Sequence, residues 1–217
     1  MDRLVIFGAE NVYAAELYES VRRLELEVIA AVLTGTPEWS MSGIPCILQE
    51  EEVSPELAGI PAVTPDIIPG ARKDRVERAR GAGFERFRSI MDPTAVMASS
   101  AVIGLGTYVN ALAVIGATVR LHDHAYVNRA ASVGHHTRIE EYGTVGPGVT
   151  IASHCVIGRG AFVGAGATIT PSRIVGDNSV VGGGAVVIED VPANTLVVGV
   201  PARVVKEGIT GFGETSV

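Results

Sequence analysis

Val96–Val191 divides into sixteen consecutive sixes with no residue left over: VMASSA, VIGLGT, YVNALA, VIGATV, RLHDHA, YVNRAA, SVGHHT, RIEEYG, TVGPGV, TIASHC, VIGRGA, FVGAGA, TITPSR, IVGDNS, VVGGGA and VVIEDV. The second place of every block is apolar, from Met97, Ile103 and Val109 through to Val175, Val181 and Val187, and the third place is glycine in half of them. A period of six matches neither an amphipathic helix of about 3.6 residues per turn nor the two-residue alternation of a strand. It matches a chain that turns a corner every six residues and sends one branched side chain inward per side, the hexapeptide β-helix. Three blocks then make one triangular coil, and residues eighteen apart stack at about the 4.8 Å spacing of neighbouring strands. The period predicts a solenoid of about five turns with the second-place residues inside.

The composition fits such a narrow interior. The chain is 47% hydrophobic but only 5% aromatic, so the expected core is Val, Ile, Leu and Ala. The net charge is −7 and no basic run stands out, which argues against a nucleic-acid or anionic-membrane surface. Cys46 and Cys155 are too few for a disulfide framework, and neither sits in a zinc-ligand pattern. The start, MDRLVIFGAE, lacks the apolar stretch of a signal peptide, and nothing is long and apolar enough to span a membrane. The expected location is cytoplasmic.

Ahead of the repeat the pattern changes. Leu4–Phe7 is an apolar run closed by Gly8, and Val12, Leu17, Val21 and Leu24 follow at helical spacing. Val28–Leu33 then reads as a second buried strand, which makes a βαβ unit with a parallel pair. Short elements are expected at 44–48, 60–63 and 87–91, a loop at 35–43, and a helix over 72–82. These make residues 1–91 a small Rossmann-like α/β domain, with the β-helix over 92–191 beginning at Asp92-Pro93. Residues 192–217 leave the repeat. Pro192–Lys206 is expected to cap the open end of the coil, and the last stretch, EGITGFGETSV, to be loose.

All five histidines fall between 122 and 154, and none takes an inward second place. His122, His124, His135, His136 and His154 are therefore expected at corners or outer faces, where an imidazole can exchange protons near neutral pH. Surface or subunit contacts would explain several of them equally well. His136 and His154 are eighteen apart and should stack, as a hydrogen-bonded ladder, a metal site or neither.

The block series followed by PANTLVVGVPARVVK resembles the left-handed hexapeptide-repeat acyltransferases. With FGAENVYAAELYE, GIPCIL and GFERFRSIMDPTAVMASSAVIG ahead of it, the chain is similar to the sialic-acid O-acetyltransferases and bacillosamine-pathway sugar N-acetyltransferases. The resemblance covers nearly the whole chain and is strongest over residues 84–206. It implies a left-handed coil and a homotrimer with sites between subunits. It also implies acetyl-coenzyme A as co-substrate, no metal, and a sugar acceptor, often nucleotide-linked, acetylated on an amino or hydroxyl group. In that family a histidine in a block of the V-G-H-D kind acts as general base; here SVGHHT gives that place to His135.

Where the family commonly has an acidic residue to orient the base, this chain has His136, and Glu140, Glu141 or a second subunit are the alternatives. Nine residues past the base, where a second histidine can meet the coenzyme, stands Thr144, whose hydroxyl could do the same. The remaining coenzyme places correspond to Ala165 and Gly183, small enough for backbone amides to approach a pantetheine arm. The family's phosphate-cradling turn G-A-G-G-H becomes Gly8-Ala9-Glu10-Asn11-Val12, and Glu10 is expected to repel a phosphate. Gly8, Glu10 and Asn11 are accordingly candidates for the acceptor, or the domain serves as packing. Two other classes compete. One is a metal-dependent enzyme of the γ-carbonic-anhydrase kind, with His122, His136 and His154 as candidate ligands; the other is a non-catalytic sugar-binding scaffold.

Overall fold

The computed structural model describes residues 3–38 and 40–217, so the 35–43 loop is described except at position 39. Each six-residue block contributes a two-residue strand at its first and second places, as in Tyr108–Val109, Val114–Ile115 and Arg120–Leu121. Every strand pairs in parallel with the one eighteen residues on: Tyr126 with Thr144, Ser132 with Thr150, Arg138 with Val156. Three sheets result, one per side of a triangular prism. The first face holds the strands from Ile90–Met91 to Val180–Val181, the second those from Val96–Met97 to Val186–Val187, the third those from Val102–Ile103 to Ile174–Val175. Because Ile90–Met91 already pairs with Tyr108–Val109, the coil begins just ahead of the expected start at 92.

The second-place residues form one continuous core. From Val109 to Val187 all are buried, and Met97 and Ile103, in the open first coil, pack against them. The interior also takes a second residue per side, contrary to the one expected. Sixth-place Ala113, Val119, Ala131, Val149, Cys155 and Ala167 lie in the same cluster. They are small because the corner they follow leaves little radius. Two kinds of corner residue also separate. A Cβ on third-place Gly134 would stand 2.6 Å from the backbone of Ala152 on the next rung, so this glycine is set by rung spacing. The fifth place instead takes positive φ, in His136 (60°) and His154 (60°) among others, a region histidine tolerates better than most residues.

In the N-terminal region β1 (Arg3–Phe7), α1 (Tyr13–Arg23), β2 (Glu27–Leu33), β3 (Ile47–Gln49), α2 (Pro55–Ala58), β4 (Ala62–Val63) and α3 (Pro69–Gly81) follow in order. The sheet runs β3-β2-β1-β4, all parallel. β1 is apolar at consecutive positions because both its faces are covered. Leu4 and Ile6 pack with Ala14, Leu17 and Val21 of α1, and Val5 and Phe7 with Val76 and Ala79 of α3. The helix expected over 72–82 starts a turn earlier, at Pro69, where a first-turn proline loses no hydrogen bond.

This sheet and its helices cover the first face of the coil. Outward first-place residues there are Tyr108, Tyr126, Thr144, Phe162 and Val180, all buried. Their counterparts on the other faces, such as Val96, Val114, Ser132, Arg120 and Arg138, are exposed. Aromatic residues recurring at eighteen in outward positions were thus a signal of the covered face. Arg72, 1% exposed, locks the seam. It donates to the carbonyls of His124 (2.8 Å), Asp66 (2.5 Å) and Tyr142 (2.6 Å) and to Thr144 Oγ1 (3.0 Å), while burial pushes its guanidinium down to about 10. Asp92 is no loose linker: its carboxylate accepts from Ser20 Oγ at 2.6 Å and Arg23 Nε at 2.9 Å.

His124 takes a corner position as expected, with φ 57°, but it is not exposed there. It lies in this seam, 2% exposed, stacked on Tyr142 with ring centroids 5.1 Å apart and edge-on to Phe87. Burial, then the nearby Arg72 charge, lowers its pKa from 6.5 to about 4. The unfolded chain therefore binds a proton that the folded chain refuses, and stability falls as pH drops from 6.5 towards 4. From pH 7 to pH 5 this group alone should remove about 2 kcal/mol, at about 1.4 kcal/mol per pKa unit. Urea unfolding of wild type and His124→Asn at both pH values checks this: the variant, which keeps the positive-φ corner, should lose less stability on acidification. An equal loss in both proteins would show that His124 does not carry the effect.

The C-terminal stretch corrects another expectation. Thr195–Val198 adds a parallel rung beside Val180–Val181, and Arg203–Glu207 pairs antiparallel with it. EGITGFGETSV is not loose, however. Phe212 stacks flat on Phe162 with centroids 3.7 Å apart, and the Val217 amide donates to Asn178 Oδ1 at 3.0 Å. The tail finishes the cover of the first face that the N-terminal elements begin.

Candidate active site

The corner between the second and third faces carries His135 and His136 at the fourth and fifth places of SVGHHT, with His154 one rung on. Backbone bonds fix all three: His136 N donates to Ala117 O and His154 N to His135 O, each at 3.0 Å. The His136 and His154 rings stack at 4.8 Å, 17° from parallel, and His135 stands edge-on to both. His135 Nδ1 and His136 Nδ1 are 2.9 Å apart, so one carries the hydrogen and the other accepts it. All three rings are exposed, which leaves His135 Nε2 open to a ligand.

The carboxylates considered as partners of His135 are engaged elsewhere. Glu140 lies 3.3 Å from His122 Nε2 and 3.3 Å from Arg138 Nε, and Glu141 3.4 Å from Arg159 Nε. Within one chain, then, the neighbour of His135 is His136. The trio His122, His136 and His154 does not form, because His122 belongs to the corner between the third and first faces.

Ala165 and Gly183 stack on the corner between the first and second faces, where Gly184 N donates to Ala165 O at 2.9 Å. One chain does not bring them to His135. Thr144 corrects its expected role outright. It is 1% exposed beneath the N-terminal elements, its hydroxyl accepting from Arg72 and donating to Ile67 O at 2.9 Å, so no coenzyme can reach it.

The turn after β1 is also committed. Gly8 has φ +77°, and a Cβ there would collide with the Arg75 side chain. Arg75 passes over it to pair with Glu10 and Asp66. Glu10 also accepts from Thr34 N at 3.0 Å and Thr34 Oγ1 at 2.7 Å. Burial raises its pKa, but the Thr34 and Arg75 bonds outweigh this and keep it below the usual carboxylate range. Glu10 is therefore a neutralised charge, not the bare repulsive one expected. Asn11 bonds within the turn, donating to Gly8 O at 2.8 Å and accepting from Tyr13 N at 2.9 Å.

Residues 154–189 match the family model of the bacterial transferase hexapeptide, six repeats. No curated protein sequence matches the chain. Among solved structures, a histidine-to-asparagine variant of perosamine N-acetyltransferase from Caulobacter crescentus, in complex with CoA and GDP-perosamine, superposes with a TM-score of 0.85 at 28% identity, over 95% of this chain and 98% of that one. The acetyltransferase domain of PglB from Neisseria gonorrhoeae, in complex with acetyl coenzyme A, gives 0.84 at 27%, over 94% and 99%. WeeI from Acinetobacter baumannii shares the fold, with 0.68 at 21% over 93% and 99%. In its repeat, its corner histidines and this whole-length likeness, the chain matches the hexapeptide-repeat acyltransferases.

Proposed function

We propose that the protein moves an acetyl group from acetyl-coenzyme A to an amino or hydroxyl group of a sugar, nucleotide-linked in the form we favour, with His135 as general base. The observation that carries this is the exposed His135–His136 pair on a rigid corner of the coil. With Nδ1–H donated to His136, His135 presents the Nε2 lone pair to the acceptor. As the acceptor nitrogen or oxygen attacks the thioester carbonyl, Nε2 takes its proton, the C–S bond breaks and the coenzyme leaves as thiolate. His136 then accepts a hydrogen bond from the imidazolium that forms, a neutral substitute for the usual carboxylate. The neighbours support the donor and acceptor classes: one was solved with CoA and GDP-perosamine, another with acetyl coenzyme A.

The same reading makes the coil left-handed, the N-terminal elements Rossmann-like, and the units 1–91, 92–191 and 192–217. It makes the assembly a homotrimer. His135 sits on the corner opposite the covered first face, so an acceptor held by the N-terminal unit of the same chain lies on the far side of the prism. A second chain brings its own Ala165, Gly183 and N-terminal unit to that corner, and shields it from water. Gly8, Glu10 and Asn11 shape the acceptor side through the turn they hold, since their side chains are already bonded. Among the described residues no helix is long and apolar enough to cross a membrane, and both cysteines are free, which suits a reducing cytoplasm.

Two measurements test this. Thiol release from acetyl-coenzyme A with a panel of nucleotide-linked amino sugars should show turnover with at least one. Multi-angle light scattering should give three chains per particle. Full activity from a monomer would overturn the shared site.

A further inference from the structure

We infer that His135, His136 and His154 bind a single divalent transition-metal ion of the zinc class, and that this ion closes the site instead of serving it. Their ring nitrogens lie within 4.8 Å of one another, the nearest pair 2.9 Å apart. Three nitrogens around tetrahedral zinc, each about 2.1 Å from the ion, are about 3.4 Å apart. The three donors thus bracket the required separation, and small rotations of exposed rings complete it. Their backbones need not move: two adjacent corner positions and the next rung are already tied by the His154 N to His135 O bond. Imidazole is the side chain best suited to such ions, and exposure leaves the fourth position to water or a chloride.

The consequence rests on the function proposed above. Zinc takes up lone pairs on ring nitrogens and turns the rings towards itself. His135 then can neither keep its hydrogen bond to His136 nor accept a proton from a substrate. Free zinc becomes a reversible inhibitor of transfer, read out by the same residues that do the chemistry. This differs from a carbonic-anhydrase-like centre, in which the metal would activate water and in which His122 was the expected third ligand.

The test uses the full-length protein, treated with a chelator and dialysed. Calorimetric titration with zinc sulfate, without coenzyme or sugar, should show saturable binding of one ion per chain. His136→Asn and His154→Asn, which suit the positive-φ corners, should each weaken it by on the order of 10- to 100-fold. Cobalt(II) in place of zinc should give the intense visible absorption of a four-coordinate site in wild type only. In the transfer assay zinc should silence wild type over the range in which it binds, and EDTA should restore it. His154→Asn, measured against its own metal-free rate, should resist. No saturable binding, or equal binding by wild type and both well-folded variants, would overturn the site. Binding that leaves transfer unaffected would overturn the claim that the ion occupies the base. Normal zinc binding by a protein that transfers acetyl to no acceptor would instead sink the transferase reading and leave the ion site standing.

Discussion

Replacing His135 with alanine should lower kcat for acetyl transfer by roughly 10²- to 10⁴-fold while coenzyme affinity changes little, the size of effect expected when a general base is removed. The affinity should hold because the coenzyme places proposed above, Ala165 and Gly183, are separate residues that a second chain brings to this corner. His136→Ala should lower kcat less, since it removes the partner of the base and not the base. His136→Glu should recover or exceed wild-type kcat, because a carboxylate stabilises the imidazolium better than a neutral ring does. Simple loss of structure would not give that rescue. Steady-state kinetics of the three variants, with coenzyme binding measured separately, decide the matter. A His135→Ala enzyme with near wild-type kcat, beside a dead His136→Ala, would put the base on the other histidine.

Val145→Asp should leave no folded β-helix. Val145 is fully buried on a middle rung, between Val127 and Val163 in the ladder. Each rung is held only by the rungs above and below, so a charge there interrupts the stack in both directions. A carboxylate in that interior has no hydrogen-bonding partner, and the loss should reach about 5 kcal/mol or more, comparable with the whole stability of a domain. Val205→Asp, on the exposed closing strand, is the matched control and should melt near wild type. Circular dichroism melts of the two proteins are sufficient. Normal melting of Val145→Asp would mean that the second place does not face inward.

The two predictions test different things, since one concerns a residue whose role depends on its neighbours and the other a residue whose role depends on its period. Residues that act through period were readable in advance. The inward second places and the stacking of His136 on His154 both follow from local spacing. Parallel rungs force every residue onto the one eighteen positions away. The N-terminal strands and helices were readable for a similar reason, in that a strand buried on both faces and a helix buried on one leave distinct apolar patterns.

The positions that went astray are those whose surroundings come from distant parts of the chain. Period places Thr144 on an outer face, and only the docking of α3 through Arg72 turns that face into an interior and removes Thr144 from any coenzyme. The same docking buries His124, otherwise indistinguishable from its exposed fifth-place counterparts. Glu10 looked repulsive until Arg75, sixty-five residues away, was seen to neutralise it. The tail looked loose because its anchors, Phe212 on Phe162 and the Val217 amide on Asn178, join segments some forty to fifty residues apart. The amino-acid sequence by itself determined the coil, its inward residues and the corner that bears the histidines, because a repeat carries its own three-dimensional register. Which face is covered, and hence that the histidine corner lies on the opposite edge of the prism, was decided only by tertiary structure, because that depends on contacts between segments with no common period.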